Sequence, residues 1–200
     1  MKNNTIKDIF KNDKLALDSF CEKLINYCKD ECQFHDNSFV VSLNGKFGSG
    51  KSWFLEMMHD SLVKKEIDVI KINTWESDFC NEPLIPIVDK LITLDSIHNE
   101  ENGIKNTLYK IVEQFSVNYI KNKTGFNVDE LKGKNLCEEF TKKLQEITNL
   151  NHILQDEYSP TKPLFILIDE LDRCKPDYAV KFLERIKHIF KTKGIIFILG

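Results

Sequence analysis

The chain has 200 residues, 42% of them hydrophobic and 30% charged, with a formal charge of −3. That length suits one domain, or one domain carrying an insertion, with enough apolar content for a core. The charge balance excludes the basic excess of a nonspecific nucleic-acid binder, and no apolar run approaches the ~20 residues of a membrane-spanning helix.

The polar start MKNNTIKDIFKND lacks the apolar stretch of an export signal. The six cysteines are therefore expected as reduced thiols in a cytoplasmic setting. Residues 13–30 carry Leu17, Phe20, Cys21, Leu24, Ile25 and Cys28 at helical spacing, with Asp13 as the expected N-cap. Cys28, Cys32 and His35 are spaced too loosely for a zinc site, and Cys28 falls on the apolar stripe, so this group reads as structural. SFVVSL (38–43) is expected as a buried strand, 51–65 as a helix and IDVIKIN (67–73) as a second strand. Residues 83–98, 103–121 and 134–150 read as helices, followed by the breaker-rich connector 155–163. LFILID (164–169) is a third strand. Residues 176–191 form a helix with Ala179, Phe182, Leu183, Ile186, Ile189 and Phe190 on its apolar face, and GIIFIL (194–199) is a fourth strand. Continuous apolar strands alternating with helices predict an α/β fold with a parallel sheet covered on both faces. Three parts are expected: 1–82, a helical insertion over 83–160, and 161–200.

Between the first strand and its helix lies GKFGSGKSW, made of Gly45, Lys46, Phe47, Gly48, Ser49, Gly50, Lys51, Ser52 and Trp53. Gly45, Gly50, Lys51 and Ser52 fit the phosphate-loop pattern G-x-x-x-x-G-K-[ST] without deviation. Glycines let the backbone approach phosphate oxygens, and successive amides form an anion nest. The helix beginning at Lys51 adds unpaired N–H groups at its positive end. Lys51 is expected on the β and γ phosphates, and Ser52 on Mg²⁺. At the end of the third strand Asp169 is placed to hold the same Mg²⁺, since a hard cation takes oxygen ligands. Glu170 is placed to orient or deprotonate an attacking water. These residues predict a nucleoside triphosphate and Mg²⁺ as ligands and leave the base open.

Arg173 and Arg185 are the only arginines in a chain whose other cations are lysines. Arg173, near the acids, is expected to organise the site, together with Asp172. Arg185 reads as an ordinary exposed charge on a solvated helix face.

IDELDRC (168–174), followed by Pro176 and a helix, resembles the Walker B region of KAP-family P-loop NTPases. INTWESD (72–78) and DKLALDSFCEKL (13–24) resemble two further segments of that family. The resemblance implies a P-loop core with an additional strand between the two Walker strands, Glu170 as the water-activating acid, and ATP–Mg²⁺ as substrate. It leaves Trp75 as either a core aromatic or an organiser near the phosphates. Family members often carry membrane spans between the Walker motifs. The insertion here is polar, so peripheral association at an inner membrane face is the nearest equivalent. The sheet is expected to be incomplete at its C-terminal side, because a fifth strand and lid would follow in the family and the chain ends with the fourth.

The functional expectation is an ATPase switch of a larger signalling or phage-defence protein. The competing expectation is a nucleotide-gated binding module with little hydrolysis. A GTPase would call for N-K-x-D, which is not visible. The insertion is the expected surface for a protein partner or self-association.

Overall fold

The computed structural model describes residues 13, 15–80, 82–94, 163–189 and 191–200, with isolated helical positions between 108 and 148. The helices expected over 103–121 and 134–150 and the connector 155–163 lie largely outside the described residues, although Leu108, Phe140 and Leu144 are helical and buried.

Helix α1 (Leu17–Phe34) begins at the first residue of its apolar pattern, and its N-cap is Ala16, with φ 51°, and not the expected Asp13. Asp13 nevertheless caps it from a distance, accepting hydrogen bonds from the amides of Leu15 (3.2 Å) and Asp18 (2.9 Å). Its buried stripe is Cys21, Ile25, Cys28 and Cys32, four residues apart at each step save the three-residue step from Ile25 to Cys28. Phe20, expected inside, is half exposed and packs its ring on Phe54 at 5.4 Å between centroids.

Among the described residues four strands follow: β1 (Phe39–Ser42), β2 (Val69–Asn73), β3 (Leu164–Asp169) and β4 (Ile195–Leu199). Three longer helices accompany them after α1: α2 (Lys51–Lys64), α3 (Leu84–Ile92) and α4 (Pro176–Ile189). The strands form one parallel sheet in the order β1-β4-β3-β2. The additional strand is thus β4, lying between β1 and β3 as the resemblance implies.

The sheet sorts its side chains by the two-residue period of a strand. On one face Ile70, Ile72, Ile166, Ile168, Ile195 and Phe197 pack against α3 and α4. On the other, Val69, Phe165, Leu167, Ile196 and Ile198 pack against α1 and α2. β3 and nearly all of β4 are buried on both sides, which explains their unbroken apolar sequences. Each such side chain stabilises the fold by about 1.5–3 kcal/mol relative to exposure. β1 differs from expectation. It is an edge strand whose residues alternate between half-buried and exposed, with Val40 and Ser42 turned out. Its apolar run is too short to distinguish an edge strand from a central one.

Helix α4 also differs in detail. Its inward row is Tyr178, Phe182, Ile186 and Ile189, whereas Leu183 is exposed. Phe190 lies outside the described residues. Among the described residues no helix is long and apolar enough to cross a membrane.

Candidate functional site

In a parallel sheet the carboxyl ends of all strands lie on one side, and ligands bind there. The loop leaving β1 and the acid ending β3 meet at that side. Two-sided burial keeps charge out of β3 until its last residue, Asp169, and the chain turns sharply at Glu170.

The loop is shaped by two glycines. Gly48 and Gly50 have φ of 76° and 89°, the left-handed region where a Cβ is disfavoured. Nothing lies within 4 Å of where a Cβ would stand at either position. The loop therefore presents open main chain at the start of α2, with Gly50 as its N-cap and no side-chain cap on the first amides. The Ser49 amide donates to the Lys46 carbonyl at 3.1 Å, and Lys51 Nζ folds back onto the Gly45 carbonyl at 3.0 Å. Lys46 and Phe47 are exposed, and Trp53 is half exposed in the first turn of α2.

Ser52 joins the two halves. Its Oγ lies 3.1 Å from Asp169 Oδ1 and 3.2 Å from Glu170 Oε1. Asp169 is buried and accepts a further 3.0 Å bond at Oδ1 from the Glu170 amide. A hydroxyl has one proton, so it can donate to only one of the two carboxylates at a time. The other acid oxygen then faces a lone pair. Two carboxylates converging on one hydroxyl make an all-oxygen donor set that fits a hard divalent ion such as Mg²⁺. That ion is commonly bound through one or two carboxylates, with substrate phosphates and water completing its shell. Among the described residues there is no cluster of three or more acids, histidines or cysteines suited to a metal on its own.

Glu170 has φ 61°, a left-handed conformation in a residue with a full side chain. It opens a 3₁₀ turn, Leu171–Arg173, in which the Arg173 amide donates to the Glu170 carbonyl at 3.1 Å. Arg173 forms an ion pair with Glu170 Oε2, and its guanidinium carbon lies 5.2 Å from the centroid of the Phe47 ring. Asp172 is exposed in the same turn; the carboxylates that meet Ser52 are those of Asp169 and Glu170. The Cys174 thiol reaches the Glu170 carbonyl at 3.7 Å, and burial pushes its pKa up.

Three residues were missed in the sequence, two of them beside Asp169. Thr74, fully buried, donates from its hydroxyl to the Asp169 carbonyl at 2.7 Å. The backbone of Gly200 bonds the Ile168 carbonyl, and a Cβ there would stand 2.7 Å from Leu55 Cδ1 and 3.3 Å from Asp169 Oδ1. Glu82, nearly buried, accepts from Arg185 Nε at 3.1 Å and Nη2 at 3.3 Å, with Lys181 Nζ at 3.5 Å. Arg185 is therefore a half-buried anchor, not a freely solvated charge. The only signal for Thr74 and Glu82 is a polar residue beside an apolar segment, which is too common to single out. Trp75 is 52% exposed, in the short turn Thr74–Ser77, so it is not a core aromatic.

A parallel sheet whose first strand runs into an open glycine loop, beside an acid ending another strand, defines the P-loop class of nucleotide-binding domains. A family model described as the KAP family P-loop domain matches residues 5–200, and the chain belongs to that family. Comparison with curated proteins gives no match.

Proposed function

We propose that the chain binds ATP with Mg²⁺ and hydrolyses it to ADP and phosphate, as the switch of a larger signalling or phage-defence protein. The observation that carries this reading is the meeting of Ser52 with both Asp169 and Glu170 at 3.1 and 3.2 Å. It supports a shared cation between the loop and the strand end, with Glu170 beside it.

In this reading the amides of residues 45–52 and the Lys51 ammonium bind the phosphates. Ser52 and Asp169 would hold the metal, which would neutralise charge on the phosphate oxygens. Glu170 orients a water and takes its proton as the water oxygen bonds to the γ-phosphorus. The bond from that phosphorus to the β–γ bridging oxygen breaks, and ADP leaves with the electron pair. Trp53, in the first turn of α2, and Asp172, in the turn after Glu170, would complete the nucleotide site and its organising turn. The product would be sensed by a protein partner, with residues 83–160, expected from the sequence as a helical insertion, as the contacting region, in the cytoplasm or at the inner face of a membrane.

The test is phosphate release from ATP with Mg²⁺, alongside nucleotide binding by thermal shift. Glu170→Gln is expected to bind ATP and lose turnover. Lys51→Ala is expected to lose about 2–5 kcal/mol of binding, the cost of truncating a charge-assisted contact. Wild-type turnover retained in both variants would overturn the assignment. Binding without turnover in the wild type would instead establish a nucleotide-gated module.

A further inference from the structure

We propose that Arg173 is a positioning residue that fixes the Glu170 carboxylate by one oxygen and ties it to the phosphate loop through Phe47. The proposal deepens the reading of Glu170 as the water-orienting acid and rests on it.

The two Glu170 oxygens face different partners: Oε1 has a hydrogen bond, whereas Oε2 is buried with no hydrogen bond and has only the Arg173 charge beside it. Oε1 meets Ser52 Oγ at 3.2 Å, and Oε2 pairs with Arg173. The Glu170 side chain is 15% exposed but that of Arg173 is 43% exposed, so solvent screens the pair in part and its role is to orient the carboxylate more than to stabilise the fold. The local backbone imposes the arrangement. In a 3₁₀ turn residues three apart eclipse one another, which returns Arg173 over Glu170. A carboxylate that serves a water must present one oxygen and hold its plane. The Arg173 charge beside Oε2 favours that orientation of the carboxylate, which would leave Oε1 as the oxygen for water if the Ser52 hydroxyl turned to a metal ion.

The second contact makes Arg173 more than a local partner. Phe47 is 86% exposed at the tip of the loop, so it contributes almost nothing to the core. What its ring does meet is the Arg173 guanidinium, at 5.2 Å. That separation is within the range of a cation–π contact. One planar guanidinium thus touches the loop and the acid together, which a lysine ammonium does less well. Loop position and carboxylate orientation are then coupled through a single side chain.

The experiment has two arms. In nucleotide-free protein, double-mutant cycles are measured by thermal unfolding for Arg173→Gln with Phe47→Leu, and for Arg173→Gln with Glu170→Gln. Both cycles are expected to be non-additive, by about 1–4 °C for the Phe47 pair. In the second arm, steady-state ATP hydrolysis is measured with Mg²⁺. Arg173→Gln is expected to lower kcat by roughly 10- to 100-fold, the scale for a misplaced catalytic group, while KM for ATP stays within about twofold. Arg173→Lys is expected to recover part of kcat, and added millimolar guanidinium to recover part of it in Arg173→Ala. Additive cycles would overturn the proposal, as would a kcat for Arg173→Gln equal to wild type. If the wild type shows no hydrolysis, the reading of Glu170 fails, and the nucleotide-free cycles still decide whether Arg173 couples the two elements.

Discussion

Thr74 Oγ1 donates a 2.7 Å hydrogen bond to the main-chain carbonyl of Asp169, linking the turn after β2 to the last residue of β3. Both residues are buried. Thr74→Val keeps the shape and removes the donor, leaving a buried carbonyl without this partner. The expected loss is about 1–3 kcal/mol in urea unfolding, with Thr74→Ser retaining most of it. A valine variant as stable as wild type would show that the bond does not matter.

Glu82 anchors α4 to the segment before α3 through Arg185 and Lys181. The Arg185 and Lys181 side chains are 31% and 41% exposed, which weakens both pairs through solvent screening. Truncating the nearly buried Glu82 to alanine is expected to cost about 1–3 kcal/mol, below the figure for a fully buried pair. Replacing Glu82 and Arg185 together by methionine is expected to restore part of that loss. A double variant that is worse than the sum of its singles would contradict this account.

Burial pushes the Cys21 and Cys28 thiols from an ordinary value of 9.0 up to about 12. Neighbouring acid charge adds to the Cys21 shift. The folded state keeps these protons after the unfolded chain has released them, so unfolding releases protons between the two values. Their contribution to stability is full below pH 9 and is lost as pH climbs through about 12. Chemical denaturation across that window is expected to show a falling midpoint. Cys28→Ala is expected to lower stability at pH 7 and to flatten the alkaline slope. An unchanged slope would count against burial as its source.

Gly50 has φ 89° and open space where a Cβ would be. Gly50→Ala therefore carries only a backbone cost, about 1–2 kcal/mol. The thermal shift given by ATP is expected to shrink as well, because the first amides of α2 would be redirected. A variant with the wild-type midpoint and the wild-type nucleotide shift would overturn both statements.

The two-sided burial of β3 and β4 and the glycine loop were legible because each follows from a strong local rule. An unbroken apolar run ending in an acid can sit only in a covered strand, and G-x-x-x-x-G-K-S reports a backbone shape. What escaped depends on tertiary neighbours. VVS in β1 reads the same at an edge as in the middle of a sheet. Leu183 and Tyr178 exchanged places because the α4 face is set by what α3 and the sheet offer, not by hydropathy. Arg185 found Glu82 across 103 positions of sequence, beyond the reach of any pattern. Arg173 was singled out by composition and by its place near the acids, but its contact with Phe47 depends on how the loop lies over the turn.

The left-handed backbone at Glu170 has one more consequence. A chain that rests at φ 61° is most comfortable as glycine or asparagine, and a long acidic residue there raises the energy of the native state by about 1 kcal/mol or more. Selection for sturdiness alone would have erased it. A library screened only for heat tolerance should therefore drift toward smaller residues at position 170, while one screened for turnover should hold the acid in place.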